Sequence, residues 1–160
     1  MTKLPGTCDT LLPLSIVDAA LGGPVTGRTA FVVGLPEKDI GRLSYLNCRY
    51  GLPGGAAQAT PKVEIGVSLY RTSALAARRI PATVGDYVAH GSSESAATVG
   101  GKPATILVGG RGSGYASPTI VMVSGQRTIA ISVAAALAPA AKRTKTLAAL
   151  AELAMNRTGG

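Results

Sequence analysis

The chain has 160 residues, 46% of them apolar and only 4% aromatic, with 21 glycines, 10 prolines and a formal net charge of +8. That content excludes intrinsic disorder and predicts one domain over residues 1–160, its core built from small aliphatic side chains. No stretch approaches the roughly 18–20 apolar residues of a membrane span; the nearest, residues 129–138, contains Ser132 and stops at Pro139.

Residues 1–5 lead into no apolar signal core, so the chain is either cytosolic or the exported part of a longer protein. The cysteines bear on that choice. Cys8 precedes the first predicted helix, residues 14–21, which Pro13 opens, Gly22-Gly23 closes, and Leu14, Val17 and Leu21 line on one face. A strand over residues 28–33 ends at Gly34-Leu35-Pro36, and a second, residues 43–50, puts Leu46, Cys48 and Tyr50 on one face. With one histidine in the chain, Cys8 and Cys48 cannot complete a zinc site alone, and their separation excludes a Cys-X-X-Cys motif. They are two unrelated buried thiols or a disulfide; the bond is expected, and with it an oxidising compartment.

After a turn-rich connector, residues 51–61, the clearest strand alternates Val63, Ile65, Val67 and Leu69 with Glu64, Gly66, Ser68 and Tyr70. One of its faces is therefore core and the other polar or partly covered. Residues 72–91 are helical in part, with Pro81 expected to open a short helix that runs to His90 and ends at Gly91. A meander follows, with strands at residues 96–99, 104–108, 119–123 and 128–133, apolar enough to be covered on both faces. A last helix, residues 139–157, carries the stripe Leu147, Leu150, Ala151 and Ala154 with Lys142, Arg143 and Lys145 turned outward. The whole reads as an α+β fold, antiparallel β-sheet flanked by helices.

Few constellations carry chemistry. Charge is spread evenly, each half holding +4, with dense points only at Arg78-Arg79 and Lys142/Arg143/Lys145. Aromatic side chains do not interleave with them, so a specific nucleic-acid groove is not expected. His90 stands beside Ser92 and Ser93 without a visible acid partner, and no Gly-X-Ser-X-Gly elbow occurs. The eight carboxylates form no obvious pair. The run Gly109-Gly-Arg-Gly-Ser-Gly-Tyr115 joins two strands rather than opening a helix, which argues for a hairpin loop over a phosphate loop. Within it Arg111 and Tyr115 are candidates for contact with a ligand or partner, as are Lys142, Arg143 and Lys145. Asn156-Arg-Thr158 matches a glycosylation sequon near the end of the chain. No metal or other cofactor is expected.

The segments CDTLLPLSIVDAALG, LNCRYGL, VEIGVSLY, TVGGKPATILV, IAISVAAAL and TLAALAELA, spread over nearly the whole chain, resemble actinobacterial cell-envelope lipoproteins of the LpqN type and the extracellular sensor domain of a mycobacterial serine/threonine kinase. The resemblance implies a helix-flanked antiparallel sheet of the Mog1/PsbP kind, a Cys8–Cys48 bond, and export with a lipid anchor or transmembrane helix upstream. It carries no catalytic motif. The expected function is a non-enzymatic envelope domain that binds a ligand, lipid or protein partner. Its rivals are a hydrolase using His90 with a nearby serine, and a basic polyanion-binding module.

Overall fold

Among the described residues seven strands form one antiparallel sheet in the order β1-β2-β3-β7-β6-β5-β4, with helices on both faces. The strands are β1 (Arg28–Gly34), β2 (Arg42–Leu52), β3 (Val63–Tyr70), β4 (Ser93–Val99), β5 (Lys102–Val108), β6 (Thr119–Ser124) and β7 (Arg127–Val133). The helices are α1 (Cys8–Leu11), α2 (Leu14–Leu21), α3 (Ser73–Ala89) and α4 (Arg143–Thr158). This computed structural model describes residues 3–54 and 59–159, so residues 55–58 of the predicted connector lie outside the described residues. Pairing of β3 with β7, from Val63↔Val133 to Leu69↔Arg127, joins the two strand groups into one sheet.

Because side chains alternate across a strand, register sorts residues into rows. On one face Leu46, Val67, Ile129 and Met122 lie side by side, and next to them Cys48, Ile65, Ile131 and Ile120. All are buried beneath α4, α1 and α2, against Leu147, Leu150, Ala151, Ala154, Leu11, Leu12 and Val17. Each fully buried Leu or Ile stabilises the fold by about 1.5–3 kcal/mol, so this layer holds the domain together. The Cys8–Cys48 disulfide ties α1 to β2, with 5.6 Å between the Cα atoms. Closing a loop across a separation of 40 residues stabilises by about 4 kcal/mol in the chain-entropy account. Tyr50, on the same face, donates its hydroxyl proton to the Leu12 carbonyl at 2.6 Å.

Several boundaries differ from the sequence reading. Cys8 does not merely precede a helix; it begins the turn α1, which Thr7 and Thr10 close through a reciprocal capping box. Pro81 opens no helix and lies inside α3, whose N-cap is Thr72. Ala77 and Pro81 are both exposed, so the Ala77 carbonyl, which a proline cannot reach, is not sealed in the core, and the helix continues. The last helix starts at Arg143 rather than residue 139, after a turn in which the Lys142 amide donates to the Pro139 carbonyl. Thr158 is buried and its hydroxyl donates to the Ala154 and Met155 carbonyls, so the sequon is part of an ordered helix rather than a frayed end. Coverage of both faces holds for β6, whereas β4 is largely exposed.

Candidate functional site

The second face of the sheet is only half covered. Helix α3 packs chiefly over β6 and β7 and reaches β3, β4 and β5, above the buried side chains Leu107 and Val121. Beyond it the face of β2 is only partly covered, and the space between helix and sheet is a cleft of about 220 Å³. Its floor is made of rows set by register. Tyr45, Ser68 and Thr128 form one, Asn47, Gly66 and Ala130 the next, and Glu64 and Ser132 a third. The middle row is small, so the cleft deepens there, and the Tyr45 ring lies across Gly66 at ordinary contact distance from where a Cβ would stand.

One wall is α3, where Arg79, Thr83 and Tyr87 recur at i, i+4 and i+8 on a single face. At one end of the cleft Arg42 enters from the start of β2, beside Tyr70 in register. Its guanidinium bonds Glu37 at 2.7 Å and lies 5.1 Å from the Tyr45 ring centroid, while its Nε is buried with no partner. At the other end Glu64 accepts from Asn47 Nδ2 at 2.9 Å, leaving Asn47 Oδ1 buried and unpaired. No cation lies within ion-pair distance of Glu64 among the described residues, and no carboxylate within that distance of Arg79. Burial, and then the charge of Glu64, raises the Tyr45 phenol above its usual pKa, with Arg42 acting against them.

The glycine-rich loop closes the Glu64 end. Gly112, Ser113, Gly114, Ala116 and Ser117 meet Glu64 and Ser132 around an adjoining hollow of about 80 Å³. The loop is fixed to the C-terminal end of α3. Tyr115 stacks on His90, with ring centroids 3.7 Å apart and planes within 6°, and meets Tyr87 edge-on at 5.0 Å. Its hydroxyl donates to Asp86 Oδ2 at 2.7 Å, and that bond is the main cause of its raised pKa. The Arg111 amide donates to the His90 carbonyl at 2.8 Å. A side chain at Gly110 would collide with the Tyr115 backbone and Ser92 Oγ, which is why glycine stands there.

Of the residues singled out from sequence, His90, Arg111 and Tyr115 are thus brought together, at the mouth of the cleft rather than along its lining. His90 does have an acid partner: Asp86, one turn back on α3, places its carboxylate 3.7 Å from Nδ1 and its carbonyl 2.8 Å away. No hydrogen bond joins His90 to Ser92 or Ser93 among the described residues. Ser92 Oγ is buried without a partner, and Ser93 Oγ donates to the Val108 carbonyl. Lys142, Arg143 and Lys145 sit at the start of α4, behind the opposite face of the sheet; Lys142 and Lys145 are exposed, whereas Arg143 is half-buried with its Nε unpaired.

The cleft residues themselves were not picked out. Two signals pointed towards them: the polar alternation Glu64, Gly66, Ser68 along β3, and the Arg78-Arg79 pair. Neither reveals that α3 leans over that face.

No protein-family profile matches the chain, and no curated protein matches it in sequence. Among solved structures it is similar to the extracellular domain of PknH from Mycobacterium tuberculosis, with a TM-score of 0.57 at 10% identity over 100% of this chain and 99% of that one. The two share a fold across their full lengths. The lipoprotein part of the resemblance is not met by any of these matches.

Proposed function

We propose that this chain is a non-catalytic domain of the cell envelope that binds a small polar ligand in the cleft between α3 and the β2–β3 floor. The observation that carries the reading is the cleft itself, where charged and hydroxylic side chains converge and where Arg42 Nε in the lining and Asn47 Oδ1 beside the floor lack a protein partner. Buried polar groups are normally satisfied, so such a cluster in a concavity marks a place built to be filled. The Cys8–Cys48 bond supports an oxidising compartment, and the fold shared with an extracellular domain supports a sensor-like role outside the membrane.

Titrating the isotope-labelled protein with a library of polar fragments tests the site. Amide shifts are expected to cluster at Tyr45, Gly66, Thr83, Tyr87 and Ala130, and Ala130→Leu, which fills the floor, is expected to erase them. Fragments that bind only elsewhere on the molecule would refute the reading. Alkylation of native protein without reductant tests the compartment. Neither Cys8 nor Cys48 is expected to react, and labelling of both would remove that support.

A further inference from the structure

We infer that the cleft selects an anionic, polyhydroxylated ring: a sugar acid or sugar phosphate of about one ring, with its charge at the Arg42/Arg79 end. The inference rests on the cleft being the ligand site and adds the ligand's chemistry. Four observations converge on it. Arg79 lines the cleft without a carboxylate partner among the described residues, and Arg42, whose guanidinium bonds Glu37, lines the same space with a buried, unpaired Nε. A guanidinium free of any carboxylate, beside a second one held by Glu37, suits a half-enclosed polar space to a carboxylate or phosphate.

Along the floor Ser68, Thr128 and Ser132 carry hydroxyls, that of Ser132 bonded to Thr119, and at the far end Glu64 presents an acceptor without a cation among the described residues. Hydroxyls that both donate and accept, beside a carboxylate that only accepts, match the hydroxyls of a sugar. Tyr45 and Tyr87 give the space two aromatic side chains, one from the floor and one from the wall, against which the apolar side of such a ring can lie. Finally, about 220 Å³ with a predominantly polar lining is too small and too wet for an acyl chain or a dinucleotide. Arg79 and Tyr87, eight residues apart, stand about 12 Å apart along α3, which leaves room for one ring and its charged substituent.

The test titrates the labelled protein with D-glucuronate, glucose 6-phosphate, glucose, glucosamine and inorganic phosphate, each to about 10 mM, above the millimolar range of weak sites. Glucuronate or glucose 6-phosphate is expected to shift the amides of Tyr45, Gly66, Thr83, Tyr87 and Ala130. Its affinity is expected to exceed that of glucose by about tenfold or more, with glucosamine weaker still. Arg79→Gln is expected to abolish the preference over glucose while the amide spectrum keeps its native dispersion. A glucuronate-ended tetrasaccharide that binds as tightly as the monosaccharide identifies a polymer end as the source, and one that does not identifies a free metabolite.

Glucose or glucosamine binding as tightly as the anionic sugars overturns the assigned charge. Inorganic phosphate binding as tightly overturns the ring. Both results leave the cleft as the ligand site. Silence of the cleft amides towards all five, with polar fragments still binding there, overturns this inference alone; silence towards fragments as well overturns the site.

Discussion

Ile65 and Gly66 are neighbours in one strand, yet they belong to two unlike surfaces. Ile65 faces a layer sealed by α1, α2 and α4, where its row neighbours Cys48, Ile131 and Ile120 are buried. Gly66 faces the cleft, in a row kept small by Ala130 and flanked by the polar side chains of Glu64, Ser68, Thr128 and Ser132. The first face contributes most of the folding energy and tolerates little change. The second contributes little, because α3 covers only part of it and only Ala76 of that helix is buried. Stability and recognition are thereby assigned to opposite sides of the same strands.

The largest expected effect follows from breaking the sealed side. Ile65→Ala should lower unfolding free energy by about 3 kcal/mol, within the roughly 2–5 kcal/mol of large-to-small core changes, measured by urea denaturation. A loss below about 1 kcal/mol would show that this face is less tightly packed than its burial implies.

Tyr50→Phe sharpens the comparison at the border of that layer. It leaves the Leu12 carbonyl without its buried donor and should cost about 1–2 kcal/mol at neutral pH. It should also change the alkaline limb. Burial, and secondarily the charge of Asp9, raises the Tyr50 phenol well above its ordinary value of 10.0. The unfolded chain therefore releases that proton first. The contribution is fully present below about pH 10 and is lost as pH rises towards the folded pKa. In the Phe variant the stability curve should fall less steeply above pH 10, the remaining slope coming from Tyr45 and Tyr115, whose phenols are raised as well. Parallel alkaline limbs in wild type and variant would exclude this role for Tyr50.

The smallest expected effect lies on the open side, three residues from Ile65. Ser68 is buried on the cleft floor, and Ser68→Ala removes a hydroxyl that makes no side-chain hydrogen bond among the described residues; it should change stability by no more than about 1 kcal/mol, while weakening whatever binds in the cleft. Calorimetry on the variant, with and without a cleft-binding fragment, checks both halves. A large stability loss would mean that the two faces are not divided as described.

Much of the fold was legible from local pattern. The alternation of residues 63–70 declared one apolar and one polar face, and the stripe Leu147, Leu150, Ala151 and Ala154 declared the buried side of α4. The two cysteines, with no zinc set to join, pointed to their bond. The differences are local too: proline favours first turns, which points to helix starts at Pro81 and Pro139, whereas Pro81 lies inside α3 and α4 begins only at Arg143.

The candidate site was not legible in the same way. The sequence by itself determined which side chains share a face, because the periods of strand and helix are properties of a few consecutive residues. Only the tertiary structure decided that β3 pairs with β7, that α3 covers Leu107 and Val121 but stops short of Tyr45 and Gly66, and that Arg42, Glu64, Arg79 and Tyr87 meet around one space. Those residues lie up to 45 positions apart, from Arg42 to Tyr87, and what brings them together is the burial of other side chains, chiefly on the opposite face, rather than any pattern among themselves.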